Sequence, residues 1–258
     1  MENILVDTSA SGVLTITLNR PEQKNAFTMS AVDAVSHALL QAQDDPRLRA
    51  VVIAAAGDTF SAGGDLGWMQ AALDDPEGLG RRDVARLGRL LETISTFPVP
   101  VIARVNGAAY GGGFGLVCAS DIAIASSSAM FGLTEVRLGV VAGTISPCVL
   151  RRIGAPAMRA AALTGGVIDC DTAMRIGLVQ QVVAPEQLDA AVDATLSNIL
   201  RASPQAVRAS KQLIHKLCTS DESEWPNIGI DTIVAAWQTD DAKEGIAAFL
   251  EKRRPQWG

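Results

Sequence analysis

Short apolar runs alternate along the chain with stretches whose apolar residues recur every three or four positions. Residues 13–18 are β-branched and apolar, follow a turn at Ser11-Gly12 and face an earlier apolar run at 4–6, which predicts an opening hairpin. In residues 30–43, Val32, Val35, Leu39 and Ala42 share one helical face, His37 falls on the opposite one, and Ser30 with Asp33 resembles a capping box. Residues 50–56 read as a buried strand, 81–96 as a helix, and 99–105 as a second buried strand closed by Asn106-Gly107. A glycine-led helix at 112–119 and a short strand at 121–125 continue the alternation, which is the pattern of an α/β fold with parallel strands.

Strand signals stop after Val183. Residues 185–199, 204–217, 225–237 and 240–252 are all helical in pattern, with proline near several starts. These helices carry few apolar residues each, so they are expected to pack on the α/β part or on a neighbouring subunit. The expected division is therefore an α/β core over residues 1–195 and a helical region over 196–258.

Composition narrows the classes of function. The chain has 258 residues, 48% hydrophobic and 19% charged, which suits one sizeable core and excludes disorder. A formal net charge of −6 argues against a broad footprint for nucleic acid or an anionic membrane. Cys118, Cys148, Cys170 and Cys218 are widely separated with no histidine at ligand spacing, so buried thiols in a reducing cytosol are expected and no metal site. Glu2 and Asp7 stand where an export signal would need a basic start, and Arg104, Asp121, Glu135 and Arg151 interrupt every apolar stretch short of a membrane span. A cytoplasmic protein is expected.

Three segments break the rules for a buried core. Phe60-Ser-Ala-Gly-Gly-Asp-Leu66 follows a strand and offers backbone N–H groups without side-chain obstruction, although a Gly-Gly-Asp sequence alone also suits a plain turn. Asn106-Gly-Ala-Ala-Tyr-Gly-Gly-Gly-Phe-Gly115 joins a strand to a helix start, where unpaired N–H groups and the helix dipole favour an oxyanion or phosphate. It lacks the lysine of a P-loop and the downstream acid of a dinucleotide site. In Phe131-Gly-Leu-Thr-Glu-Val-Arg-Leu-Gly139, Glu135 is a lone carboxylate in an apolar stretch. It reads as a proton-transfer group raised by desolvation, as an exposed glutamate, or as an ion-pair partner of Arg137.

In this order, together with Leu18-Asn-Arg-Pro-Glu-Gln-Lys-Asn-Ala26 and the ending Glu244-Gly-Ile-Ala-Ala-Phe-Leu-Glu-Lys252, these segments resemble the crotonase, or enoyl-CoA hydratase/isomerase, superfamily over nearly the whole chain. The resemblance implies a ClpP-like spiral of repeated ββα units, a C-terminal helical trimerisation region, and a homotrimer or a dimer of trimers. It implies that the Gly64 and Gly112 N–H groups form an oxyanion hole for a thioester carbonyl, each donor contributing about 3 kcal/mol or more. It places Lys24, Ala26, Ala62, Asp65 and Leu66 along the coenzyme A site, largely through backbone contacts. Lys252 is placed against a CoA phosphate, from its own or a neighbouring subunit. Trp68, Tyr110, Gly115 and Thr134 fall on the acyl side, with core packing as the other reading of Trp68, Met69 and Tyr110. Coenzyme A enters as part of the substrate, and no separate cofactor is implied.

One departure stands out. Family hydratases with two catalytic glutamates carry one just after the triple glycine, where this chain has Gly115, while the other matches Glu135. Segments such as Asp65-Leu-Gly-Trp-Met and Thr134-Glu-Val-Arg-Leu-Gly look similar to bacterial 3-methylglutaconyl-CoA and isohexenylglutaconyl-CoA hydratases. A missing side chain at Gly115 is then expected to leave room for a branched, acidic acyl group. The expected activity is hydration of such an enoyl-CoA. A Δ3,Δ2-enoyl-CoA isomerase using Glu135 alone, and a non-catalytic CoA- or RNA-binding relative, are the alternatives. Asp121 reads as a structural cap or subunit contact, and His215 as a surface residue.

Overall fold

β1 (Ile4–Thr8) and β2 (Val13–Leu18) form the expected antiparallel hairpin in the computed structural model, which describes residues 3–257; Glu2 lies outside them. α1 (Met29–Ala42) follows and buries Val32, Val35 and Leu39. Its cap is Thr28, whose hydroxyl accepts from the Ala31 N–H, rather than Ser30, because the helix already starts at Met29. β3 (Ala50–Ala55) is buried at every residue, as a continuous apolar run in a parallel sheet requires. It leads through β4 (Thr59–Ser61) to α2 (Leu66–Asp74) and α3 (Arg81–Thr96).

The next turns repeat this plan. β5 (Val101–Val105), β6 (Ala108–Tyr110) and α4 (Gly112–Ala119) make one, and β7 (Ile122–Ser126), β8 (Phe131–Gly132) and α5 (Ser146–Thr164) make another. α6 (Cys170–Arg175) and β9 (Gln181–Val183) then close a six-stranded sheet in the order β1-β2-β3-β5-β7-β9. A second sheet, β4-β6-β8, is wholly parallel. Each of three successive turns thus gives one strand to each sheet, the geometry of a ββα spiral.

Five buried phenylalanines, Phe27, Phe60, Phe97, Phe114 and Phe131, fill the main core, with Phe114 and Phe131 edge to face at 6.5 Å. Cys118, Cys148 and Cys170 are buried as expected, whereas Cys218 is exposed on the C-terminal helices.

α7 (Leu188–Arg201) packs Leu188, Ala191 and Val192 on the large sheet, so a division at 195/196 falls inside one continuous helix. α8 (Pro204–Thr219) and α9 (Trp225–Trp237) bury no residue, and α10 (Asp240–Leu250) buries only Asp241 and Ala248. Ile230, Ile233, Trp237 and Phe249 are left exposed. α8 is nonetheless tied to the core. The Lys211 amine donates to Asp121 at 2.6 Å and to the Val99 carbonyl at 3.1 Å, while Asp121 also accepts the Val101 N–H at 2.7 Å. Asp121 is therefore a structural group. Burial lowers the Lys211 pKa, and the adjacent carboxylate opposes that shift. Among the described residues, no helix is long and apolar enough to cross a membrane.

Candidate active site

The C-terminal ends of β4, β6 and β8 each deliver one element of the site. Gly63 and Gly64 follow β4, Gly111 and Gly112 follow β6, and Glu135 follows β8. Gly63 (φ +96°) lies so close to the second loop that a Cβ there would sit 3.1 Å from the Tyr110 carbonyl oxygen and 3.6 Å from the Gly112 nitrogen. A Cβ on Gly111 (φ +49°) would sit 3.6 Å from the Gly63 Cα and 3.2 Å from Glu135 Oε1. Only glycine permits this approach and these dihedrals together.

The Gly64 and Gly112 N–H groups donate to no acceptor among the described residues. Gly112 opens α4, where unpaired N–H groups concentrate the positive end of the helix dipole. Two uncommitted donors thus lie on adjoining loops, and Glu135 lies against the second of them, an arrangement suited to an oxygen that gains negative charge.

Glu135 begins a 3-10 turn, Glu135–Leu138, directly after Thr134. Its Oε2 is buried without a hydrogen-bond partner. Desolvation raises the carboxyl pKa, opposed by a backbone hydrogen bond. No ion pair with Arg137 forms among the described residues; the Arg137 side chain runs toward Gly165 instead, where a Cβ would be 3.1 Å from its Cγ. The ion-pair reading of Glu135 is therefore set aside.

A residue with no role assigned from the sequence organises the first loop. Asn25 is 3% exposed and left-handed (φ +51°). Its amide nitrogen donates to the Ala56 and Thr59 carbonyls at 2.9 and 2.8 Å, its Oδ1 accepts from the Arg20 N–H at 2.8 Å, and its own carbonyl accepts from the Ser61 hydroxyl. The tolerance of asparagine for positive φ was the signal available in the sequence. Asn25→Ala is expected to destabilise the fold by about 3 kcal/mol, by orphaning buried backbone groups in a conformation alanine disfavours. Urea denaturation would measure it.

Around Asn25, the Ala62 N–H donates to the Lys24 carbonyl at 2.9 Å, and Phe27 bridges Gly63 and Asp65 through its own N–H and carbonyl. Lys24, Ala26 and Ala62 are therefore gathered beside the first glycine loop. The Asp65 side chain is committed elsewhere: it caps α2 through the Gly67 and Trp68 N–H groups and lies 3.6 Å from Arg20, whose guanidinium also holds the Ala26 carbonyl. Leu66 is 72% exposed at the head of that helix. Trp68 and Met69 press on Gly64, where a Cβ would meet Met69 Cε at 2.6 Å and Trp68 Cζ3 at 3.1 Å.

The Tyr110 carbonyl flanks Gly63, while its ring and the Thr134 methyl group pack over Gly132. Lys252 lies exposed beyond α10 with no ion pair among the described residues, and no contact draws it to these loops.

Gly115 requires a correction. A Cβ there would lie 2.6 Å from Ile145 Cγ2 and 3.5 Å from Leu91 Cδ1, and Ile145 is itself 3% exposed. The space expected for a branched acyl group is filled by Ile145 at the head of α5. Close packing explains this glycine.

A model of the family described as enoyl-CoA hydratase/isomerase matches residues 8–258. The crotonyl-CoA hydratase of Syntrophomonas wolfei is 36% identical over 98% of this chain and 96% of its own. The trans-2-decenoyl-[acyl-carrier-protein] isomerase of Streptococcus mutans is 30% identical over 96% and 95% of the two chains. Among solved structures, an enoyl-CoA hydratase from Mycobacterium smegmatis superposes with a TM-score of 0.95 at 34% identity, covering 100% of this chain and 99% of that one.

Proposed function

The chain belongs to the enoyl-CoA hydratase/isomerase family, its spiral is the crotonase fold, and from that premise we propose that it hydrates a 2-enoyl-CoA with Glu135 as its single proton-transfer group. The observation that carries this reading is the unpartnered, buried Oε2 of Glu135 beside two uncommitted N–H donors. The thioester oxygen lies between Gly64 and Gly112. Glu135 takes a proton from water as the water oxygen bonds to C3, and the C2=C3 electron pair moves to give an enolate whose oxygen the two N–H groups hold. The protonated Glu135 then returns its proton to C2, which restores the carboxylate and leaves the 3-hydroxyacyl thioester. Ile145, filling the space at Gly115, leaves no side chain there to share the work.

Lys24, Ala26, Ala62 and Leu66 belong to the CoA side of this reading, supported by their clustering at the first loop. Lys252 joins that side as a contact to a CoA phosphate. Tyr110 and Thr134 belong to its acyl side. Self-association through the C-terminal helices, as a trimer or a dimer of trimers, belongs to it as well, supported by the exposed apolar side chains of α9 and α10.

The test is mass-resolved turnover in deuterated water of crotonyl-CoA, 3-methylglutaconyl-CoA and a 3-enoyl-CoA, with Glu135→Ala as control. A Glu135-dependent gain of one water is expected, and the preferred substrate identifies the acyl class, branched diacid or simple chain. Migration of the double bond with solvent exchange and no water gained would establish an isomerase instead. Silence on all three would overturn the reading.

A further inference from the structure

The indole of Trp68 is held from behind. Its Nε1–H donates to Asp83 Oδ2 at 3.1 Å, and Asp83, on the first turn of α3, is 3% exposed. The other carboxylate oxygen of Asp83 accepts from Arg86 at 3.1 Å and lies 3.7 Å from Arg82. Arg86 in turn grips both carboxylate oxygens of Asp33 on α1 through its Nε–H and Nη2–H groups. The line therefore runs Trp68, Asp83, Arg86, Asp33, from the site wall to a core helix.

A first-turn aspartate needs no such burial to serve its helix dipole, which acts equally well at an exposed position. Burying a carboxylate is costly unless it is paired and hydrogen-bonded, and here one oxygen is spent on an indole N–H. The need lies with α2. That helix fully buries none of its residues and packs through half-buried ones such as Trp68 and Met69, so polar ties carry much of its positioning. Its N-terminus is tied by Asp65 to Arg20, and its first turn by Trp68 to Asp83. Without the second tie the indole could leave Gly64, where its ring edge and Met69 Cε now stand.

We propose that Asp83 is a positioning residue that, by holding the Trp68 indole against Gly64, sets how long an acyl chain the site accepts. This rests on the acyl-CoA reading above. An acyl chain leaving a carbonyl held at Gly64 must pass Trp68 and Met69, so a fixed indole favours short chains and a freed one admits longer chains.

The test compares dissociation constants of butyryl-CoA, decanoyl-CoA and free CoA for the full chain, by calorimetry, so that no turnover is needed. In Asp83→Leu the ratio of decanoyl-CoA to butyryl-CoA affinity is expected to rise about tenfold, with free CoA binding unchanged. Asp83→Asn retains an acceptor for the indole and should restore the wild-type ratio. Trp68→Phe should shift the ratio as Asp83→Leu does, and adding Asp83→Leu to it should produce no further shift, because the two act through one contact. A ratio unmoved in Asp83→Leu, or equal losses for all three ligands, would overturn the role of Asp83 while leaving the acyl-CoA reading intact. Wild-type protein that bound none of the three would overturn both.

Discussion

Replacing Glu135 by Gln is expected to lower kcat on an enoyl-CoA about a thousandfold, while CoA affinity stays within about twofold. The amide keeps the shape of the side chain and cannot accept the proton of an attacking water. The contacts expected to hold CoA are backbone groups of the first loop, which the substitution does not touch. Initial rates and calorimetry on the same preparation separate the two effects.

The same variant should be more heat-stable than wild type at neutral pH. Desolvation raises the folded-state pKa of Glu135 above its unfolded value, so its contribution to stability is fully present below the unfolded pKa and is lost as pH rises through the folded one. Once ionised, the folded wild-type chain carries a charge beside a buried, unpartnered oxygen, and Gln removes it. The gain in Tm should therefore vanish in acid below the ordinary carboxylate range, grow as pH rises from that range through the raised value, and level off above it, which thermal melts across pH would follow. Preserved turnover in Glu135→Gln would remove Glu135 from the mechanism.

Gly63→Ala carries the second large effect, a fall in kcat of about a hundredfold or more with CoA affinity kept. Gly63 is not itself one of the two proposed donors. Its φ of +96° disfavours any Cβ, and the added methyl would press the Tyr110 carbonyl at 3.1 Å, in the strand end that carries the Gly112 nitrogen, itself at ordinary contact distance of 3.6 Å. The second loop must give way, and displacing one donor from an oxyanion hole costs about a hundred- to a thousandfold in rate. The readout is kcat against the dissociation constant for free CoA. Equal losses in both would mean that the first loop had collapsed rather than that the donors had parted.

What was legible in the sequence follows the length over which a pattern can repeat. The helices at 81–96, 112–119 and 225–237 agree with the structure residue for residue, because periodicity or a glycine start marks them. The strand predicted from residue 99 starts at Val101, since Pro100 has no N–H for the ladder and the Val99 carbonyl is taken by Lys211. β4, β6 and β8 have three residues or fewer, too short for any period, so the small sheet that builds the site was invisible.

The two glycine segments stood out because their density breaks core rules, and Glu135 because it interrupts an apolar stretch; the structure brings these segments to adjoining strand ends. Gly115 was misread as space, because a missing side chain in a sequence does not reveal which neighbour fills the gap. The contacts of Asn25 with Thr59, Asp83 with Trp68 and Lys211 with Asp121 span 34, 15 and 90 positions, distances that no local pattern covers.

The parallel strands β4, β6 and β8 act as a ruler. Each ends at one part of the proposed site: the first glycine loop, the second, then Glu135. Neighbouring strands in any sheet stand about 4.8 Å apart, fixed by backbone hydrogen bonding and indifferent to side-chain identity. The spacing of donor, donor and acid is thus a lattice constant of the polypeptide. The chain between successive rungs can lengthen, shorten or diverge on the outer side of the spiral while the graduations on its inner side stay in place, so one reaction centre can be kept while everything that frames its substrate is rewritten.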